Sequence, residues 1–412
     1  MPDSKNSRRA ACPKWLAGLS RRPDLSSQPK LKWDLFVEQA AFLDLLDQLQ
    51  GEERIAVDTE FHRERTYFPR VALVQIAWSG GLVLLDPLEI DLSPLTVLLE
   101  SETLWVMHAA GQDIEVFQRA CGTTPRHLFD TQLAAGFMGM SSPSLSALSH
   151  RELGFRLSKG DRLTDWLSRP LTESQLAYAA SDVAHLLEIH DRLMAGLEAR
   201  GRLAWAVAEC EEMLQREVTR RVPEDAWRRI KEARSLRGEA SLVARSVAAW
   251  RERRAARVDR PVRHVLSDLA VVAIAQRRPS SMEDLRKVRG IDAKHLKGAS
   301  AEGILKAVAE AGNLPPLLPD EDRSGGRQQE SRAAVTLVSA WVAQLARDLQ
   351  MDPALVGTRS DIEALIRREK ASRMAHGWRH DLIGEPVEEL LSGRAALAFD
   401  GAGELVLIPR NN

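Results

Sequence analysis

The sequence predicts an α/β domain, a mixed sheet flanked by helices, followed by all-α domains. Three observations carry that expectation. Residues 31 to about 200 alternate strand-like apolar runs with stripes of helical period. From about residue 213 onward the apolar residues recur at helical spacing, with no strand pattern until the tail. Residues 313–329 are Pro-rich and then polar, with Gly325 and Gly326, the composition of a linker.

The elements follow in order. Alternation and β-prone residues predict strands at 54–60, 71–78, 82–86 and 104–108. Strong helix formers and helical stripes predict helices at 40–49, 113–120, 131–138, 144–152 and 173–200. The first three strands have short connections, which suits an antiparallel meander; a later strand reached through a helix suits a parallel addition. Pro223, ahead of Glu224 and Asp225, opens a helix. Residues 241–257 carry a stripe of Leu242, Val243, Val247, Ala248 and Trp250, and 265–277 carry another. Residues 279–285 and 288–291 read as two short helical pieces with a break at Gly290. Past the linker, Val335, Leu337, Val338, Trp341, Val342 and Leu345 mark a helix at 331–350, and further pieces start at Asp352 and Arg359. The tail 397–408 alternates weakly, as a strand pair closing around Gly401 and Gly403 would.

Composition excludes several classes. With 412 residues the chain has room for two or three domains. No apolar run reaches the roughly 20 residues that a membrane helix needs, so no span is expected. Cys12, Cys121 and Cys210 have neither metal spacing nor pairing logic, and three scattered cysteines suit a reducing, cytoplasmic setting. Residues 1–30 are basic and mixed and lack the apolar stretch of a secretory signal; a disordered arm or an overlong start is expected, with a transit peptide as the alternative. The net charge of −1 hides an asymmetry. Residues 216–297 hold 22 Lys and Arg against 11 Asp and Glu, a difference of +11 that leaves −12 elsewhere. A basic segment beside an acidic one suits a protein that handles a polyanion, although a solvated Arg-rich helical surface has the same composition.

The chemistry concentrates in three acidic segments. In Val57-Asp58-Thr59-Glu60-Phe61, two carboxylates stand two residues apart in a β-prone run, so both project from one face of a strand. Like charges backed by a buried sheet repel and are hard to desolvate, and a divalent cation is the simplest compensation. A strand end with two solvated acids is the alternative. The second segment, Trp105 to Phe117, reads as a strand, a turn at Gly111 and a helix opening near Asp113, where an acid also complements the helix dipole. The third, Leu176 to Leu187, is helical, with Tyr178 and Asp182 four apart on one face. Taken singly, each is ordinary.

Taken together, as D-x-E, H-x-x-x-x-D and Y-x-x-x-D, the segments resemble the three motifs of the DEDD 3′–5′ exonucleases, with the tyrosine pointing to the DEDDy branch. Glu60 to Pro69 and Val74-Gln75-Ile76-Ala77 look like the first motif of the ribonuclease D family and its flank, and Lys159 to Leu171 looks like the segment before its third motif. The resemblance covers residues 30 to 300, and more weakly the rest. It implies a ribonuclease H-like exonuclease core at 31–205 and a helicase-and-RNase-D C-terminal (HRDC) domain at 213–300. A linker at 301–330 and a second, divergent HRDC-like helical domain at 331–412 would follow. The implied activity is a metal-dependent 3′–5′ exoribonuclease that trims tRNA precursors and other small structured RNAs, releasing nucleoside 5′-monophosphates. A 3′–5′ DNA exonuclease and a non-catalytic RNA-binding protein on the same scaffold are the alternatives. By resemblance, Asp58, Glu60, Asp113 and Asp182 ligate two divalent ions, Mg²⁺ or Mn²⁺, and Tyr178 orients or deprotonates the attacking water. Such hard cations take oxygen ligands, and a pair of them serves both ends of an in-line displacement. RNA is the expected partner and a monomer the expected state.

Weaker candidates flank these motifs. His62, Arg63 and Arg65 follow the first one on an expected loop, suited to gripping phosphates or to ordinary ion pairs. Lys159 and Arg162 are similar. His108 is a candidate substrate contact, with a satisfied structural histidine as the commoner case. His185 is read as a surface residue.

Overall fold

The computed structural model describes residues 31–157, 164–218, 222–314, 325–369 and 372–410. The expected N-terminal arm, Lys159 and Arg162 lie outside the described residues.

A six-stranded mixed sheet is built from β1 (Asp34–Phe36), β2 (Arg54–His62), β3 (Arg70–Trp78), β4 (Gly81–Leu85), β5 (Leu104–Met107) and β6 (His127–Asp130), in the order β1-β4-β3-β2-β5-β6. Strands β2, β3 and β4 form the antiparallel meander that their short connections predict. β5 adds to β2, β6 to β5 and β1 to β4, all in parallel. β1 and β6 were not predicted. They are three and four residues long at the sheet's two edges, too short for alternation to register.

Helices cover both faces. On one side, α1 (Gln39–Leu49), α2 (Thr96–Leu99) and α3 (Gly111–Cys121) bury Phe42, Leu45, Leu98, Ile114 and Phe117 against Ile55, Val57, Val74, Ile76 and Trp105. After β6 come α4 (Thr131–Phe137), α5 (Leu145–Leu153), α6 (Glu173–Val183) and α7 (Leu186–Glu198). α6 lays Ala179 and Ala180 against Ala72, Leu73 and Leu84, small side chains that bring the helix close to the sheet. The stripe predicted as one helix at 173–200 is thus two. The chain leaves helical geometry at His185 (φ −119°, ψ 4°). The break lets α6 lie over β2, β3 and β4 while α7 turns Leu186, Ile189, Leu193 and Leu197 onto the same sheet face over β2 and β5, in a cluster with Phe129, Phe137 and Leu148. His185 itself is half-buried, edge-on to Phe155 at 4.9 Å, and burial lowers its pKa; it is not a free surface residue.

α8 (Leu203–Val218) runs straight through the boundary expected between 205 and 213. Beyond it, a 3-10 turn at Pro223–Arg229, α9 (Gly238–Val258), α10 (Val262–Val265), α11 (Asp268–Arg277), α12 (Met282–Arg286) and α13 (Gly298–Glu310) enclose their own core around Trp227, Val247, Leu266, Ile274, Leu285 and Ile304. The linker expected from residue 301 therefore begins too early, because α13 buries Ala301, Ile304 and Ala307 in this core. Its stripe is disguised by small residues. Gly303 lies so close to Trp250 that a Cβ there would meet the indole nitrogen at 2.2 Å.

The last region comprises α14 (Gly325–Asp348), α15 (Pro353–Val356), α16 (Arg359–Ile366), α17 (Gly377–Arg379), a π turn at His380–Gly384, α18 (Glu385–Leu391) and the hairpin β7 (Ala395–Phe399) and β8 (Leu405–Pro409). Residues 325–330, also expected in the linker, already belong to α14. The region does not have a core apart from the rest. Val338, Trp341, Ile362, Trp378 and Ile383 belong to the same apolar cluster as Phe137, Leu186 and Leu193. Trp378 stacks on Trp205 at 5.0 Å, and Glu209 of α8 accepts from Arg373 (3.2 Å), Trp378 Nε1 (3.2 Å) and Arg379. The separate helical domain expected at 331–412 is in this respect an extension of the sheet domain. Among the described residues no helix is long and apolar enough to cross a membrane.

Candidate active site

β2 carries the first two acids at the middle of the sheet. Its alternation turns Ile55 and Val57 into the layer under α1 and α3, and Asp58 and Glu60 to the opposite face. The register shifts between Glu60 and Phe61, a bulge that ends the regular ladder just past the acids. α6 covers that face and presents Tyr178 and Asp182 one turn apart. Its start is fixed by a capping box between Thr172 and Gln175. The Tyr178 ring leans against Trp166, with centroids 6.1 Å apart.

Asp113 arrives from α3, in the opposite layer, and its carboxylate accepts from the Thr59 hydroxyl. A buried acid that the sequence reading missed decides where α3 begins. Asp130 is 1% exposed. Its carboxylate accepts from the backbone N–H groups of Ala109 (3.2 Å) and Ala110 (2.8 Å) ahead of α3, and of Gln132 (2.8 Å) and Leu133 (3.1 Å) at the start of α4. One side chain caps α4 and ties down the turn that delivers Asp113. That turn needs holding, because Ala109 sits in the left-handed region at φ 60°. An Asp just ahead of a helix signals a cap, but nothing local signals the bonds across to Ala109 and Ala110.

Asp58, Glu60, His108, Gln132, Ser144, Tyr178 and Asp182 line one open cleft of ≈ 400 Å³. No Lys or Arg is among its described lining residues. Burial and the nearby charges of Asp113, Asp182 and Glu60 hold Asp58 well above the usual carboxylate range. Asp113 is pushed up to about 7, chiefly by burial and against the hydrogen bond from Thr59. Glu60, Asp113 and Asp182 therefore each lie within electrostatic reach of Asp58. With Asp113 turned to Thr59, no three His, Cys, Asp or Glu side chains among the described residues converge to hold an ion as placed. The donor chemistry nevertheless fits a hard dication: carboxylate oxygens, excess negative charge, and no competing Lys or Arg among the described lining residues.

The weaker candidates separate. His108 lines the cleft, but both ring nitrogens are occupied, Nδ1 by Thr131 Oγ1 (2.9 Å) and Nε2 by the Pro143 carbonyl (3.1 Å). Arg63 pairs with Glu115 at 2.8 Å and borders an adjoining cavity of ≈ 520 Å³. His62 is half-buried and Arg65 exposed, and neither lines the acidic cleft. The adjoining cavity shares Ala109, Gln132 and Ser142 with the cleft, and its far wall includes Asp352 and Leu355 of the C-terminal region. Sequence reasoning did not bring that region to the site. Gly136 permits it, since a Cβ there would meet Leu355 at 2.5 Å. The helical bundle also reaches the site's edge. Asp259, at the end of α9, accepts from the backbone N–H groups of Tyr67 and Phe68 (3.1 Å each), and the Tyr67 hydroxyl donates to Glu252 (2.7 Å). The loop following the first acidic pair is thus fastened to the bundle.

Comparison with known proteins agrees with this architecture. Residues 36–198 match the 3′–5′ exonuclease family, and residues 242–308 match the HRDC domain. The chain is 36% identical over 363 residues to the ribonuclease D of Gluconacetobacter diazotrophicus, covering 87% of this chain and 92% of that protein. It is 35% identical over 367 residues to the ribonuclease D of Acidiphilium cryptum, covering 88% and 93%. The crystal structure of Escherichia coli RNase D, described as an exoribonuclease involved in structured RNA processing, is similar with a TM-score of 0.80 at 31% identity, covering 88% of this chain and 99% of that one. A mixed sheet of this order, an acidic cleft at its central strand, and similarity to these proteins over 87–88% of its length make the chain a member of the ribonuclease D family of 3′–5′ exoribonucleases.

Proposed function

We propose that this protein acts in the cytoplasm on tRNA precursors and other small structured RNAs, removing nucleoside 5′-monophosphates one at a time from the 3′ end. The observation that carries the reading is Asp58, its charge opposed by Glu60, Asp113 and Asp182, in a cleft that also holds Tyr178. Asp58, Glu60, Asp113 and Asp182 would hold two divalent ions, Mg²⁺ or Mn²⁺. Bound there, the ions supply positive charge to the phosphate and the leaving 3′ oxygen and acidify a water. The chain's own groups do the rest. The Tyr178 hydroxyl orients the attacking water; with a free pKa of about 10 it is a weak base unaided. His108, fastened at both nitrogens, keeps the cleft wall in shape. We assign the helical bundle after α8 to RNA binding. Exposed Arg257, Arg260, Arg286, Arg289 and Lys297 supply it with cations for a phosphate backbone.

The test is an exonuclease time course on a 5′-labelled tRNA precursor and a matched DNA strand, each with Mg²⁺, Mn²⁺ or EDTA. Stepwise, metal-dependent shortening of the RNA, lost in Asp58→Ala, is the expected result. Shortening of the DNA alone would move the protein to a DNA substrate. Tight RNA binding without shortening would make it a binding protein.

A further inference from the structure

One buried polar side chain beside the cleft has no part in the chemistry above. Gln75 of β3 is 0% exposed, and neither its amide nitrogen nor its amide oxygen has a hydrogen-bond partner. Buried amides are nearly always paired, and an unpaired one weakens the fold. Its strand neighbours Val74 and Ile76 are apolar and buried, so an aliphatic residue at 75 would suit the sheet better.

Its position indicates what the amide is for. Gln75 is the residue directly opposite Asp58 in the β2–β3 ladder. Opposed residues of an antiparallel pair project from the same face with Cβ atoms roughly 4.5–5.5 Å apart, a gap that a glutamine side chain can bridge to a carboxylate. α6, which carries Tyr178 and Asp182, covers this part of the sheet through Ala72 and Leu73. Gln75 therefore lies beside Asp58 on the neighbouring strand, shut off from solvent.

We infer that Gln75 is a positioning residue for Asp58: its amide, unpaired as placed here, turns when an ion binds to donate an N–H to one oxygen of the ionised carboxylate and aim the other into the cleft. The inference rests on the reading of Asp58 as a metal ligand. An amide suits the task because it donates without carrying charge. A lysine or arginine there would neutralise the carboxylate and compete with a dication for it. Partners of this kind behind a ligand fix its orientation and raise its affinity for the ion.

The experiment compares full-length wild type, Gln75→Met, Gln75→Leu and Asp58→Ala by thermal melting of the metal-free proteins and by direct titration with Mn²⁺, following free Mn²⁺ by electron paramagnetic resonance. Both Gln75 variants should melt no lower than wild type, because an unpaired amide has gone, yet bind Mn²⁺ about 10–100-fold more weakly. The Mn²⁺ concentration for half-maximal RNA trimming should rise in parallel, with KM for RNA unchanged. Two replacements of different shape guard against a packing defect peculiar to one. Wild-type Mn²⁺ affinity in both Gln75 variants, with binding lost in Asp58→Ala, would overturn the role of Gln75 and leave the metal reading standing. Undiminished Mn²⁺ binding by Asp58→Ala would overturn the metal reading, and this inference with it.

Discussion

Replacing Glu209 by glutamine tests whether the C-terminal region is part of the catalytic body. Glu209 is 5% exposed and holds Arg379, which is 3% exposed, together with Arg373 and the Trp378 indole. Glu209→Gln keeps the shape and removes the charge, leaving the Arg379 guanidinium buried without its carboxylate. Breaking a buried pair from one side costs about 3–5 kcal/mol. The carboxylate of Glu212, 3.8 Å from Arg379 and 37% exposed, offsets part of this, so the lower end, ~3 kcal/mol, is expected. The pH dependence has a definite sign. Burial pushes the Glu209 pKa up, but hydrogen bonding and charge from Arg379, with Arg373 and Trp378, hold it below its ordinary value of 4.5. A depressed carboxylate adds stability that is fully present above the unfolded-state pKa and is lost as pH falls through the folded one. The gap between wild type and Glu209→Gln should therefore close on acidification below 4.5. Urea unfolding followed by tryptophan fluorescence is the assay, because the stacked Trp205 and Trp378 report on this junction. Glu209→Gln/Arg379→Met should recover most of the loss, since removing both charges leaves neither stranded. A single-variant cost under about 1 kcal/mol, or a double variant no better than the single, would refute the reasoning.

Other expectations concern the cleft and its supports. Tyr178→Phe should lower single-turnover trimming by roughly 10²-fold or more while RNA affinity, measured by filter binding, stays put. Asp130→Ala strands four backbone N–H groups, so stability should fall by on the order of 3–5 kcal/mol in urea and trimming should fail with it. Asp259→Ala removes the two backbone bonds that hold the loop at Tyr67 and Phe68 and leaves the Tyr67–Glu252 bond; KM for RNA should rise with little change in melting temperature, and an unchanged KM would detach those two bonds from substrate binding. The double reversal Arg286→Glu/Arg289→Glu should weaken RNA binding and flatten its salt dependence by about one unit per lost phosphate contact, whereas an unchanged slope would mean that this face of the bundle points away from RNA.

The C-terminal packing also bears on how the bundle is removed. A chain cut after residue 212 loses the rest of α8 and the whole of α14–α18, and so bares the apolar face of Phe137, Leu186 and Leu193. Loss of activity in such a fragment would report on folding as much as on RNA binding. Charge reversals on the bundle surface avoid that ambiguity.

The sequence by itself determined what depends on near neighbours along the chain. A period of two in 54–60 sets Asp58 and Glu60 on one face, a spacing of four does the same for Tyr178 and Asp182, and the short connections from β2 to β4 leave a meander as the simple path. Those patterns sufficed for the mixed α/β fold and the ribonuclease D family. Tertiary structure alone decided what depends on distant partners. The edge strands β1 and β6 exist because β4 and β5 offer them open hydrogen-bonding edges. The helix predicted at 173–200 breaks at His185 because its halves pack over different strands of one sheet face, α6 over β2, β3 and β4 and α7 over β2 and β5, partners that no local pattern announces. α13 is concealed by glycine and alanine until Trp250 is seen to need the room. Asp130, Gln75 and Glu209 look like ordinary polar residues in sequence. Each acquires its role from burial against atoms brought near only by folding: two loop N–H groups, the opposing strand at Asp58, and the guanidinium of Arg379.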